Sequence, residues 1–189
     1  MQVMENIHHL ILIGYRATGK TTLARVLAEH LNFPWYDSDE LIESRFGKSI
    51  ARIFAEEGEP VFRDTEAEEI EKILLDSNRA RQKIVLATGG GAILRKSTRS
   101  FLKEHGFVAW LTASRETIYR RMIQDATTTE RRPDLTNLPA EEEIVHLLEK
   151  RKPFYEETAH LMVDTDNRTT ENLAGQILRS YLQFQDTIR

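Results

Sequence analysis

The sequence predicts an α/β fold, with a five-stranded parallel sheet flanked by helices on both faces and a phosphate-binding loop after the first strand. Five short runs are almost continuously apolar, which is typical of strands covered on both faces. Segments with helical spacing lie between them, and strand–helix alternation of this kind predicts a parallel sheet. The apolar runs lie at 9–14, 34–37, 84–89, 107–112 and 161–165.

Three intervening segments have apolar residues spaced three and four apart, which predicts helices over 20–31, 64–75 and 172–182. The stretch 125–143 is polar, contains two prolines and has no clear period. We expect a mobile lid there, at about 125–140, within a single domain spanning 1–189. A surface loop without a function is the alternative. No role is assigned to the C-terminal extension at about 180–189.

Composition excludes several classes of function. A chain of 189 residues with 40% hydrophobic residues is large enough for a real core. A net charge of −4 argues against a nucleic-acid-binding face. The absence of cysteine excludes disulfides, cysteine–zinc sites and thiol nucleophiles, and is compatible with a reducing cytosol. The six histidines lack ligand-like spacing. With no basic leader and no membrane-length apolar run, we expect a cytoplasmic protein, a monomer without membrane partners.

Residues 14–21 match the phosphate-loop pattern G-x-x-x-x-G-K-[ST] between a strand and a helix. Gly14 and Gly19 allow backbone angles that turn amides inward, and the helix dipole adds positive potential. Lys20 would reach the outer phosphates of ATP, and the Thr21 hydroxyl would bind Mg²⁺. A plain strand-to-helix turn with a surface lysine is the alternative. The loop does not identify the acceptor. The residues predicted to bind the nucleotide are Gly14, Tyr15, Arg16, Ala17, Thr18, Gly19, Lys20, Thr21 and Thr22.

Two carboxylates, Asp37 and Asp39, follow the second strand. Residues two apart in an extended chain face the same side. If the first and second strands are near neighbours, both carboxylates can therefore converge on the phosphate loop, where one would assist Mg²⁺ and the other would accept a hydroxyl proton. A helix N-cap with acidic first-turn residues is the alternative.

Two further patterns are candidates for the acceptor side. Arg63 lies four residues after Glu59 and three before Glu66, a spacing that ordinarily indicates surface ion pairs. Three adjacent glycines, at 89–91, follow the third strand. They suit a place where the backbone approaches a ligand closely at the carboxyl edge of a sheet, with a flexible turn as the alternative.

These motifs occur as GYRATGKTT, DSDELIE, GEPVFRDTE and TGGGA, followed by RRPDL and EKRKPFYEETA. In this order and spacing they resemble the shikimate kinase family, from about residue 9 to residue 178. The resemblance implies a nucleoside-monophosphate-kinase-like sheet with strand order 2-3-1-4-5. It also implies phosphorylation of the 3-hydroxyl of shikimate by ATP and Mg²⁺, a step toward aromatic amino acids.

The resemblance implies roles for individual acceptor-side residues. Asp39 would contact the acceptor hydroxyl and serve as base, with Asp37 as a water-mediated magnesium partner. Arg63 and Arg151 would grip the shikimate carboxylate, and Gly90, between its glycine neighbours Gly89 and Gly91, would offer its backbone N–H.

On the nucleotide side, the resemblance assigns the phosphate-loop lysine to Lys20 and the magnesium hydroxyl to Thr21. It assigns the lid arginine, which would act on the transferred phosphoryl group, to Arg132. Arg121 and Arg168 occupy positions near the nucleotide base.

The sequence departs from the family pattern at two places. Ala17 stands where the family usually has glycine, and we expect it to be tolerated provided the position does not need a positive φ. The lid element reads Arg132-Pro133-Asp134-Leu135, which puts an acid beside the lid arginine. Another small-acceptor P-loop kinase, such as a gluconate kinase, and a non-catalytic nucleotide- or metabolite-binding relative are the competing hypotheses.

Overall fold

The computed structural model describes residues 8–124 and 138–187, which form one five-stranded parallel sheet with helices on both faces. The strand order is β2-β3-β1-β4-β5, with β1 at the centre, so the predicted fold class and strand order are confirmed. Each strand lies within the run predicted for it or one residue beyond it. The strands are β1 His9–Gly14, β2 Trp35–Asp37, β3 Val85–Ala87, β4 Gly106–Thr112 and β5 Leu161–Asp164.

The helices described follow the strands as a P-loop fold requires. The predicted helix over 20–31 is confirmed residue for residue, whereas the segments predicted over 64–75 and 172–182 are parts of longer helices. A short 3₁₀ turn, Ala92–Leu94, follows β3. The α-helices are α1 Lys20–Leu31, α2 Ser38–Phe46, α3 Ile50–Arg79, α4 Lys96–His105, α5 Arg115–Gln124, α6 Ala140–Thr158 and α7 Thr170–Thr187.

Helix α3 is bent near its first third. Gly58 has φ 82° and ψ 163°, a combination open almost only to glycine, and Pro60 follows two residues later. Because the backbone leaves the helical conformation there, α3 consists of two segments that run in different directions. The second segment carries Phe62, Arg63 and Glu66 toward the sheet edge.

The sheet is buried on both sides because alternate strand residues pack against different helices. On one face, Leu10 and Leu12 of β1 pack in a core formed with α1 and α7. On the other face, Ile11 and Ile13 pack in a core formed with α3, α4 and α6. This covering on both sides explains why the strands read as continuous apolar runs rather than alternating ones.

The final helix closes the edge of the sheet at which β1 begins. Tyr181 donates its hydroxyl hydrogen bond to the carbonyl of His8 over 3.0 Å, and Gln185 donates to the same carbonyl. Residues 180–187 are therefore the last turns of α7. Within 8–124 and 138–187, no helix is both long and apolar enough to cross a bilayer. Most of the predicted lid at 125–140, including Arg132, lies outside the described residues.

Candidate active site

The phosphate loop joins the end of the central strand to the start of α1. A Cβ atom placed on Gly14 would lie 2.5 Å from the carbonyl oxygen of Leu111, so only glycine fits there. Gly19 is the N-cap of α1 with φ 91°, and α1 starts at Lys20. The free amides of the first turn of a twelve-residue helix therefore point into the loop, which is the arrangement that binds phosphate.

Lys20 is folded back over the loop rather than extended away from it. Its Nζ donates hydrogen bonds to the carbonyl oxygens of Gly14 at 2.9 Å and Tyr15 at 2.8 Å, and the side chain is buried. The lysine thus braces the loop as well as carrying a charge into it.

Ala17 departs from the expectation drawn from the sequence. Its φ is 61°, in the left-handed region, so the position does require the backbone angle that glycine adopts without penalty. Alanine was expected to be tolerated only if this position did not need a positive φ, and the structure does not meet that condition. The carbonyl of Ala17 accepts a hydrogen bond from Arg121, which also binds Thr165 beyond β5.

The remaining loop side chains take different directions. The Thr18 hydroxyl donates to the carbonyl of Tyr15, and Thr22 is exposed on α1. The Arg16 guanidinium forms a buried ion pair with Glu143 of α6, with 2.5 Å between Nη2 and Oε1. Of the two arginines placed near the base, Arg121 contacts the loop, whereas Arg168 is exposed and bonds to the carbonyl of Asp164 and to Gln176.

Thr21 and Asp37 come together beside the loop. The Thr21 hydroxyl donates to one carboxylate oxygen of Asp37 over 2.6 Å, and the Asp39 amide donates to the other over 3.0 Å. Asp37 is therefore the N-cap of α2, so the capping alternative is right for Asp37, and Asp39 lies in the first turn. Burial and the nearby charge of Asp39 raise the pKa of Asp37.

A pocket opens directly beside the phosphate loop, with an empty volume of about 450 Å³. We call it the arginine pocket because three arginine residues line it. Apolar residues of α3 also line it, and this apolar wall was not predicted from the sequence. The lining residues are Tyr15, Arg16, Asp39, Ile50, Phe54, Phe62, Arg63, Glu66, Gly89, Gly90, Gly91 and Arg151.

The glycines of the arginine pocket are needed for close contact with charged side chains. A Cβ on Gly89 would collide with the carboxylates of Asp39 and Glu66, and a Cβ on Gly91 would collide with the Arg63 guanidinium. The glycines therefore make room for protein side chains, and the close approach of a ligand to them stays a prediction. The Ser38 hydroxyl accepts a hydrogen bond from the Gly89 amide at 2.8 Å and fixes this turn.

The ion pair between Arg63 and Glu66 is buried, which corrects the surface interpretation of this spacing. Nη1 of Arg63 donates to Oε2 of Glu66 at 2.7 Å, and the two side chains are 11% and 3% exposed. Glu59, in contrast, is an exposed partner of the same arginine. Burial raises the pKa of the Glu66 carboxyl, and the Arg63 guanidinium opposes that rise. The other Glu66 oxygen has no hydrogen-bond partner within the described residues.

Arg151 enters the arginine pocket from α6. Its Nη1 donates to the Gly90 carbonyl at 3.2 Å, and in 8–124 and 138–187 it forms no ion pair. The Tyr155 hydroxyl donates to the same carbonyl at 2.7 Å. The pocket therefore presents one guanidinium, Arg151, that is available to an anionic ligand, together with the Asp39 carboxylate.

Fold and loop together define a P-loop kinase. A gluconokinase from Sinorhizobium meliloti shares that fold at 13% identity, with a TM-score of 0.58. The chain belongs to the shikimate kinase family, because the family model for shikimate kinase matches residues 16–182.

Relatives over nearly the whole length agree with this assignment. A shikimate kinase from Rhodopirellula baltica is 41% identical over 172 residues, covering 91% of this chain and 89% of the relative. One from Symbiobacterium thermophilum is 38% identical, covering 90% and 94%. The structure of shikimate kinase from Acinetobacter baumannii in complex with shikimate aligns with a TM-score of 0.84 at 36% identity, covering 96% of this chain and 97% of the other.

Proposed function

We propose that this protein transfers the γ-phosphoryl group of ATP to the 3-hydroxyl of shikimate. The observation that carries the proposal is the arginine pocket immediately beside the phosphate loop. There the guanidinium of Arg151, which has no ion-pair partner among the described residues, lies in one pocket with the carboxylate of Asp39. Membership of the shikimate kinase family supports it.

Arg151 is the principal group for the acceptor carboxylate. A guanidinium binds a carboxylate through two parallel hydrogen bonds, and Arg151 has no carboxylate partner of its own among the residues described. Arg63 is already paired with Glu66, so it would share its charge between that partner and the substrate. The ring of a cyclic acceptor would lie against Phe54 and Phe62.

Asp39 is the proposed base. Its carboxylate lines the arginine pocket at the side of the glycine turn and lies one turn from the magnesium-side Asp37. As the new bond to phosphorus forms, the acceptor hydroxyl would give its proton to Asp39. Positive charge from Lys20 and the amides at the start of α1 would stabilise the transferring group.

Thr21 and Asp37 are the proposed magnesium-side residues. Both offer hard oxygen atoms, and they already contact each other beside the loop. Within the described residues, no group of three or more His, Cys, Asp or Glu side chains could hold a metal ion. When bound, Mg²⁺ would supply charge neutralisation of the phosphate oxygens.

Several further assignments come from the sequence. We propose that Arg132 belongs to a lid over the phosphates, that Arg121 and Arg168 lie near the base, and that the protein acts as a cytoplasmic monomer. Of the three arginines, Arg121 is supported by its contact with the loop carbonyl of Ala17.

The proposed reaction is tested by ADP release from the purified protein with ATP, Mg²⁺ and one acceptor at a time. Shikimate should sustain turnover, whereas gluconate, AMP and a reaction without acceptor should stay near background. Turnover with gluconate in preference to shikimate would assign the chain to the rival kinase class, and no turnover with any acceptor would favour a binding protein.

Carboxylate recognition is tested by Arg151→Ala and Arg63→Ala. Each should weaken acceptor binding by about 1.5–3 kcal/mol, the usual worth of a charged hydrogen bond, and barely change ATP binding measured alone. Lys152→Ala, at the exposed next position of α6, is the matched control. Equal losses in ATP and acceptor binding would instead place the arginines at the nucleotide or in the fold.

A further inference from the structure

A buried ion pair joins the phosphate loop to helix α6. The side chains of Arg16 and Glu143 are only 8% and 1% exposed, and their charged atoms are 2.5 Å apart. Taking two charges out of water is costly, so removing either member deprives a buried charge of this contact. Because phosphate is bound by the loop backbone and Lys20, the nucleotide cradle does not by itself account for this pair.

Arg16 belongs to both binding regions. Its backbone is part of the phosphate loop, and the residue is also among those that line the arginine pocket. A Cβ on Gly90 would be 3.3 Å from the Arg16 amide nitrogen, so the loop and the glycine turn are in close contact. The guanidinium carbons of Arg16 and Arg151 lie 5.6 Å and 5.8 Å from the centre of the Tyr15 ring.

Glu143 and Arg151 are on the same helix and both are buried. Eight residues separate them, which is about 12 Å along a helix axis. The ion pair fixes the first turn of α6 to the loop, and the bonds from Arg151 and Tyr155 to Gly90 fix the later turns. Any shift or rotation of α6 would therefore move the Arg151 guanidinium within the pocket.

We infer that Arg16 and Glu143 are positioning residues for acceptor binding. Their ion pair holds α6 against the phosphate loop so that Arg151 meets the carboxylate of the acceptor. This inference rests on the proposed function. Loss of the pair should weaken acceptor binding much more than nucleotide binding.

The test compares Glu143→Gln, Arg16→Gln and the double variant with the parent. Each single variant should raise the KM for shikimate about tenfold, the effect of losing about 1.4 kcal/mol. For Glu143→Gln, kcat and the KM for ATP should stay within about twofold, because the phosphate cradle is untouched. The double variant should be no worse than the worse single variant, since both act through one link.

Glu157→Gln is the matched control. Glu157 forms a second ion pair between α6 and a neighbouring element, accepting from Arg99 of α4 at 3.0 Å, and it lies at the far end of the helix. This variant should keep the parent KM for shikimate. A matching rise in Glu157→Gln would mean that general anchoring of α6 matters rather than the link to the loop, and would overturn the inference.

Three other outcomes would also overturn it. Unchanged shikimate KM in Glu143→Gln with a rise in Arg16→Gln would mean that Arg16 acts on the acceptor directly. An equal rise in the KM for ATP would place the pair in nucleotide binding. If the single variants do not fold, the double variant decides, because it removes both charges of the pair together: a parent-like shikimate KM there would refute a positioning role.

The inference can fail separately from the proposed function. Absence of shikimate-dependent turnover in the parent refutes the function alone. Hydrogen exchange of the α6 amides at 144–155 then tests the positioning: exchange should be faster in Glu143→Gln than in both the parent and Glu157→Gln. Equal exchange in all three would overturn the inference.

Discussion

The two aspartates of this site have different roles, and their spacing in the sequence alone does not show which role belongs to which. Asp37 caps α2 and accepts from Thr21, whereas Asp39, two residues later, lines the arginine pocket. The division matters because a cap and a base respond differently to substitution by asparagine. Asparagine caps a helix as well as aspartate does, but it cannot accept a proton.

Asp39→Asn should therefore lose about 10²–10⁴ in kcat, with a smaller effect on ATP binding. Stability should be retained, because the cap of α2 is supplied by Asp37. The measurements are the shikimate-dependent rate of ADP release and the thermal midpoint. Glu40→Gln, at the exposed neighbouring position, should leave both unchanged. An Asp39→Asn enzyme with more than about a tenth of the parent kcat would refute the role as base.

The left-handed backbone at Ala17 leads to a prediction about stability. Alanine costs about 1–2 kcal/mol in this conformation, and replacing it with glycine would relieve that cost. Part of the relief is offset by the greater freedom of glycine in the unfolded chain. Ala17→Gly should raise the free energy of unfolding by about 0.5–1 kcal/mol, measured by denaturant titration.

Ala28→Gly is the contrasting control for that substitution. Ala28 lies within α1, where glycine should lower the free energy of unfolding by about 1 kcal/mol. If both substitutions destabilised the protein to the same extent, the positive φ at position 17 would carry no strain.

At the scale of the element, the phosphate loop is braced from within by its own lysine. Lys20→Ala should abolish turnover, and it should also lower the free energy of unfolding by about 1–3 kcal/mol, because two bonds to loop carbonyls are lost. Circular dichroism melting and ADP release are the two measurements. Lys96→Ala removes an exposed lysine from the first turn of α4 and should change neither. Loss of turnover at an unaltered melting temperature would show that the brace adds nothing to stability.

Elements with a strong local pattern were predictable from the sequence, and contacts between distant residues were not. Buried strands and α1 have continuous or periodic apolar residues, so their bounds follow from the chain itself. The bend at Gly58 needs a backbone angle that no periodicity indicates.

The spacing of charged residues in the sequence did not indicate which ion pairs of the site are buried. Arg63 and Glu66 have the spacing of a surface pair but lie under the glycine turn. Glu143 has its partner 127 residues earlier in the chain, so no local signal connects it with Arg16. Adjacent glycines were the one indication that large side chains must fit closely there.

At the scale of the whole molecule, histidines are concentrated around the edge of the sheet opposite the site. His9 is fully buried, and its Nδ1 accepts from the Ile84 amide, while Nδ1 of His160 accepts from the Val108 amide. Burial lowers the pKa of His9 from 6.5 to about 4, and the charge of His105 adds to the lowering. Burial also lowers the pKa of His160.

This arrangement predicts a loss of stability in mild acid. Unfolded His9 takes up a proton near pH 6.5, but the folded residue does so only near pH 4, so the unfolded state binds more protons between these values. The stability that the folded protein gains from keeping His9 uncharged is fully present above pH 6.5 and is lost as the pH falls below that value. From about pH 7.5 to about pH 5, His9 alone should remove about 2 kcal/mol from the free energy of unfolding.

Denaturant titrations at the two pH values, on the parent, His9→Asn and His30→Asn, check this prediction. His30 is exposed on α1 and serves as the control. The pKa of some carboxyls, such as that of Glu66, is raised in the folded protein, so their contribution to the free energy of unfolding increases as the pH falls. Comparing the variant with the parent separates the effect of His9 from theirs. The pH dependence should become weaker only in His9→Asn. The same dependence in all three proteins would contradict it.

The central position of β1 has a consequence for the order in which the protein is made. β1 leaves the ribosome before β3 and β4, but it pairs with β3 at residues 85–87 and with β4 at residues 106–111. The residue opposite Gly14 in that pairing is Leu111, whose carbonyl closes over the loop. A nascent chain of the first hundred residues therefore contains the whole phosphate-binding sequence without the wall that shapes it. Recognition of nucleotide should begin only after β4 has been synthesised. The phosphate loop would therefore become functional much later than it is translated.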